Sequence, residues 1–222
     1  MCFSAEASIA SGVLLMPVGA YCTVAALRKN ISYLPLALTP ILFGVQQLCE
    51  AGVWLGFERN DPALVKPSAT AFLFFAIAFW PCWIPFVAMI LEPRSWRRKF
   101  FFLLMLVGMW MGGGAWLEAV LKYDELVHVG IAGHSIRYDL TQLTMAQSVA
   151  SALLQVIYLV LICGPLILSH ERGLLPIGVL IGVSAVTVHF VFMYVFVSVW
   201  CFFASLISAH IGYVIYRLPT SQ

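Results

Sequence analysis

Of the chain's 222 residues, 62% are hydrophobic and only 10% are charged, with a formal net charge of +2; the mean hydropathy is +0.97. Soluble domains hold roughly 45–50% apolar and about 25% charged residues, and a chain of this size cannot hide so much apolar surface from water. The composition excludes a soluble enzyme, a nucleic-acid binder and a disordered chain, and makes the lipid bilayer the solvent of the fold.

A helix crosses the hydrocarbon core with about 20 apolar residues. Runs of that kind cover about 7–27, 33–57, 68–91, 100–121 and 145–168. The stretch 174–216 holds no Asp, Glu, Lys or Arg over 43 residues. As one helix, at about 1.5 Å per residue, it would be twice as long as the bilayer is thick. Two spans, 174–194 and 198–216, joined by a tight turn near 194–198, are expected instead. The expected fold is all-α, a polytopic membrane protein forming a single seven-helix transmembrane bundle over 1–222.

Lys and Arg in the connecting segments set the orientation. With the N-terminus outside and the C-terminus cytoplasmic, the inner segments hold Arg28, Lys29, Arg94, Arg97, Arg98, Lys99, Arg172 and Arg217; the outer ones hold Arg59, Lys66, Lys122 and Arg137. No cleaved signal is expected, because Glu6 rather than a basic stretch precedes the first apolar run. The six cysteines, at 2, 22, 49, 82, 163 and 201, form no CxxC pair and read as free thiols acting as small hydrophobes. The long outer segment, 122–142, has β-patterned runs at 126–131 and 134–138 around Ala132-Gly133. A short hairpin is expected there, a candidate lid over the outer mouth. Trp80, Trp83 and Trp96 read as interface anchors.

Ionisable groups inside spans are expensive and mark functional sites by default. Gln46, Gln47 and Glu50 fall at i, i+1 and i+4 of the second span, with Trp54 one turn on. The fourth span aligns Gly108, Met111, Ala115 and Glu118; the fifth opens with Gln147; the sixth aligns Gly178, Gly182, Ala185 and His189. The seventh carries a weakly polar seam of Ser198, Cys201, Ser205 and Ser208, with Trp200 beside it. In the orientation above, Glu6, Glu50, Glu118, Gln147 and His189 all fall toward the outer leaflet, which implies a polar cavity opening outward.

Met1-Cys2-Phe3-Ser4-Ala5-Glu6-Ala7-Ser8, with Leu42-Phe43-Gly44-Val45-Gln46-Gln47 running to Glu50, Trp54-Leu55-Gly56 and Ser198-Val199-Trp200-Cys201-Phe202-Phe203, resembles an uncharacterised bacterial integral membrane family with an MCFSAxAS-type N-terminus. The resemblance covers nearly the whole chain. It implies seven spans in the bacterial inner (plasma) membrane, and no activity, cofactor or catalytic residue.

Two functions follow as expectations. The first is a metal-dependent membrane enzyme acting on a lipid or small molecule. A divalent transition metal (zinc, iron or copper) would be held by Glu50, His189 and Cys2, with Glu118 as general base and Glu6, Gln46, Gln47, Gln147, Trp54 and Trp200 binding substrate. The second is a non-enzymatic receptor or transporter for a small molecule with a protonatable Glu/His site. Retinal is not expected, since no span contains Lys, and neither is haem, since His189 and His210 lie at different depths. The bilayer is the expected partner, nucleic acid is not, and the Gly178/Gly182 seam reads equally as helix packing or as a surface that holds a partner chain, a second copy included.

Overall fold

The computed structural model describes residues 4–140, 143, 151–192 and 195–219. Helix α1 (Ala5–Lys29) starts where the Ser4 hydroxyl accepts the Ala7 N–H, and it places Glu6 in its first turn and Arg28 and Lys29 in its last, matching the helix dipole at both ends. A 3-10 turn (Ile31–Tyr33) leads into α2 (Leu34–Glu58). The two helices touch backbone to backbone. A Cβ on Gly12 would lie 3.0 Å from the Gly44 carbonyl oxygen, and one on Gly44 would lie 3.0 Å from that of Gly12.

The third span runs as α3 (Pro62–Leu73), a π-helical segment (Phe74–Phe79) and α4 (Trp80–Leu91). It begins at an Asp61 N-cap, whose side chain accepts the Ala63 N–H, followed by Pro62 in the first turn. Helix α5 (Ser95–Leu121) packs on the third span through Gly108, against the start of α4, and Gly112, against the π-helical wide turn. A Cβ on Gly108 would sit 2.0 Å from the Pro81 carbonyl oxygen, and one on Gly112 2.3 Å from that of Ile77, so only glycine fits either position. The wide turn also offers the Ala76 carbonyl to the Tyr158 hydroxyl.

A short helix α6 (Tyr123–Leu126) precedes an antiparallel hairpin, β1 (His128–Ala132) and β2 (Ser135–Asp139), in which Val129 pairs with Tyr138 and Ala132 with Ser135. Its turn is Gly133-His134, one residue later than Ala132-Gly133, because Gly133 takes the left-handed conformation (φ 61°) that a side chain resists. Helices α7 (Ser151–Leu168), α8 (Leu174–Phe192), α9 (Phe196–Ser208) and α10 (His210–Tyr216) complete the chain.

Among the described residues six helical segments are long and apolar enough to cross a membrane: Ala5–Lys29, Ile31–Glu58, Pro62–Leu91, Ser95–Leu121, Leu174–Val191 and Phe196–Tyr216; Leu153–Leu168 is a shorter apolar helix. Val195, the N-cap of the last segment, leaves the α-helical region (φ −129°, ψ 24°). The Gly178/Gly182 seam meets α7 of the same chain: a Cβ on Gly178 would lie 2.8 Å from the Leu166 side chain, and one on Gly182 3.7 Å from the Cys163 sulfur.

Contacts between the turns sort the molecule into two ends. The Lys29 ammonium donates to the carbonyls of Tyr216 (2.7 Å) and Leu218 (3.0 Å), the Tyr33 hydroxyl donates to Glu171, and Arg97 donates to the Leu168 carbonyl (2.9 Å). These contacts bring the α1–α2, α4–α5 and α7–α8 turns and the end of α10 together. The other end carries the α2–α3 turn, α6 and the hairpin, joined by the exposed Lys66–Asp124 pair at 2.8 Å.

Candidate functional site

Glu50 lies in the interior of α2, 2% exposed. Helical spacing puts Gln46, Gln47 and Trp54 on the same inward side, and all three are buried. The neighbours divide their attention. Gln46 Oε1 accepts the indole N–H of Trp80 at 2.7 Å, and Gln47 Oε1 accepts the Ser11 hydroxyl at 3.2 Å. From α9, the Ser198 hydroxyl reaches the Glu50 carboxyl, and Cys201 lies beside both Glu50 and Gln46.

The hairpin closes the group from the other side. Strand alternation turns Ile136 and Tyr138 of β2 to one face, and both are buried. The Tyr138 ring stacks on Phe72 of α3 at 4.8 Å with an interplanar angle of 12°. Burial, and next the charge of Glu50, hold the Tyr138 hydroxyl well above the usual phenol range, so it stays a neutral donor.

Five buried side-chain atoms have no hydrogen-bond partner among the described residues: Gln46 Nε2, Gln47 Nε2, Glu50 Oε1, Trp54 Nε1 and the Tyr138 hydroxyl. Four come from one face of α2, and the fifth from the strand beside it. Together they offer four donors and one carboxylate acceptor. At roughly 1–3 kcal/mol for each buried polar group left unmade, five are a load comparable with the whole stability of a domain. Such a cluster suits a molecule that both accepts and donates hydrogen bonds.

The other expected site residues among those described sit on helices other than α2. His189 is exposed on α8, its ring edge-on to Phe190 and Phe196. Glu6 is exposed in the first turn of α1, and Glu118 is half-buried on α5. Trp200 is buried, but its N–H donates to the Ile181 carbonyl at 3.2 Å and its ring meets Tyr158 and Phe196, so it belongs to the α7–α8–α9 packing. Cys2 and Gln147 lie outside the described residues. Among the described residues no three His, Cys, Asp or Glu side chains come together in a way that could hold a metal ion. Cys22, Cys49, Cys82, Cys163 and Cys201 are free thiols.

Several partners of the cluster had no individual signal in the sequence. Trp80 reads there as an interface anchor, yet it is 3% exposed and holds Gln46 in place. Trp83 similarly donates to the Thr39 hydroxyl at 3.1 Å, whereas Trp96 is exposed. Tyr138 could have been found from the alternation of β2, which places it on the same face as the apolar Ile136. Ser11 had no pattern to announce it.

A family model described as a family of unknown function (DUF6629) matches residues 1–221. No curated protein and no solved structure matches the chain.

Proposed function

Since the chain belongs to the DUF6629 family, whose function is unknown, its activity has to be read from the Glu50 cluster, and we propose that it is a membrane receptor or transporter binding a small polar molecule there. One observation carries this reading: buried polar atoms of Gln46, Gln47, Glu50 and Trp54 along one side of α2, and of Tyr138 on the hairpin, have no partner among the described residues. The ligand this group fits is small and polar, with acceptors for the two amides, the indole and the phenol, and a donor for Glu50. The hairpin then acts as the cover, with Tyr138 as its inner contact.

We place the protein in the membrane as seven spans, counting α7 with the six longer segments. Eight of its twelve Lys and Arg lie at the end formed by the α1–α2, α4–α5 and α7–α8 turns and the C-terminus. By the positive-inside rule that end faces the cytoplasm and the hairpin faces outward. The bacterial inner membrane is the location that the N-terminal resemblance implies. A metal-dependent enzyme is the weaker reading, because Glu50 and His189 do not come together with a third ligand among the described residues.

Thermal unfolding of the purified protein against a panel of amino acids, amines, sugars and nucleosides tests the reading. A molecule that raises the midpoint of wild type, and does so much less for Glu50→Met and Tyr138→Phe, supports it. A molecule that stabilises both variants as well as wild type binds elsewhere and contradicts it.

A further inference from the structure

At the end of the bundle opposite the hairpin, an open cleft of about 640 Å³ is lined by Arg94, Arg97, Ser169, His170, Glu171 and Arg172. It lies between the α4–α5 turn and the α7–α8 turn, and these turns are tied together. The carboxylate of Glu92, 2% exposed, accepts the backbone N–H of Arg94 at 3.2 Å with one oxygen and that of His170 at 3.1 Å with the other. The two walls of the cleft are thus fixed relative to each other by a buried clip.

The lining is strongly cationic. Arg97 donates one N–H to the Leu168 carbonyl at 2.9 Å, which seats its guanidinium over the end of α7 and leaves further donors for a ligand. Glu171, the carboxylate in the lining, has one oxygen engaged by the Tyr33 hydroxyl and the other by the Gly173 N–H at 3.1 Å. Three arginines therefore line the cleft against one carboxylate, whose two oxygens are engaged by neutral donors. Planar, always-charged forks of this kind match the oxygens of a phosphate.

The rim indicates where the phosphate comes from. Trp96 is 63% exposed, with the Arg97 guanidinium 5.3 Å from its ring centre. Phe100, Ile167, Leu168 and Leu175 are exposed beside it and lead from the cleft onto the apolar outer faces of α5, α7 and α8. A free anion has no use for that apolar border, whereas a lipid occupies both surfaces at once. We propose that this cleft is a headgroup site for an anionic phospholipid. Its phosphate lies among Arg94, Arg97 and Arg172, and its acyl chains lie along the three helices.

Native mass spectrometry of the full-length protein, titrated in detergent with phosphatidylglycerol, phosphatidylcholine or inorganic phosphate, tests this site. The expected result is one tightly held phosphatidylglycerol per chain that neither phosphatidylcholine nor inorganic phosphate displaces. R94A/R172A should weaken its binding roughly 30-fold, at about five- to sixfold for each guanidinium lost. The same paired truncation at the hairpin end, R59A/K122A, should leave it unchanged. Equal retention by R94A/R172A, equal binding of phosphatidylcholine, an equal loss in R59A/K122A, or displacement by inorganic phosphate would each overturn the proposal. Should R94A/R172A not fold, R94K/R172K keeps the charge and removes the fork. Weaker phosphatidylglycerol binding by that variant supports the site, and unchanged binding overturns it.

Discussion

Two glutamates are buried to the same 2% exposure and are treated in opposite ways. Glu92, at the basic end, has both oxygens matched by backbone N–H groups, those of Arg94 and His170. Glu50, under the hairpin, has Ser198 beside it but leaves Oε1 without a partner, amid four unpartnered donors. The difference separates two uses of a buried carboxylate. Glu92 replaces water with fixed dipoles and so holds two turns together, which is a structural role. Glu50 keeps hydrogen-bonding capacity that the described fold does not use, as a binding site would.

This contrast ranks the expected effects of substitution. Glu92→Ala removes two hydrogen bonds and leaves two backbone N–H groups unmade. It should lower the unfolding free energy in detergent by roughly 2–5 kcal/mol, read by thermal or denaturant unfolding, and should also loosen the arginine cleft. Tyr33→Phe, which removes the hydroxyl that Glu171 accepts at the same end, should cost about 1 kcal/mol by the same measurement. At the hairpin end, Tyr138→Phe keeps the stack on Phe72 and deletes only an unpartnered hydroxyl, so its stability should match wild type within about 0.5 kcal/mol or exceed it. Lys66→Ala, which breaks an exposed ion pair, should change stability by less than about 0.5 kcal/mol.

Alkali adds a further check on Tyr138. The folded protein holds this hydroxyl protonated to a higher pH than the unfolded chain does, since its ordinary value is 10.0 and burial raises it. The resulting contribution is fully present below pH 10 and is lost as pH rises above it, when only the unfolded phenol ionises. The stability of wild type relative to Tyr138→Phe should therefore be constant at neutral pH and fall above about pH 10. A difference that stays constant through pH 11 would place Tyr138 in contact with water.

Much of the fold is legible in the sequence because lipid imposes a simple rule: each crossing needs one long apolar helix. The break between the last two helices could be inferred from length alone, although no Gly or Pro marks it. The face carrying Gln46, Gln47, Glu50 and Trp54 follows directly from helical spacing. His189 was harder to place, because one His on a helix has the same sequence signature whether it faces the bundle or away from it. It points outward, while Gly178 and Gly182 on the same helix pack against α7. Distances between elements were also beyond periodicity. Nothing in the pattern of the third span foretells that its wide turn receives Gly112, that the start of α4 receives Gly108, or that Trp80 turns inward to hold Gln46.

The most direct test compares Glu50→Met with Glu92→Ala in one unfolding experiment without added ligand. Methionine has nearly the length of glutamate, fills irregular space and carries no unmade carboxylate. If Glu50 serves binding, Glu50→Met should be as stable as wild type or more stable, while Glu92→Ala unfolds markedly earlier. If Glu50→Met is destabilised as strongly as Glu92→Ala, the Glu50 cluster is a structural network, and the binding-site account is wrong.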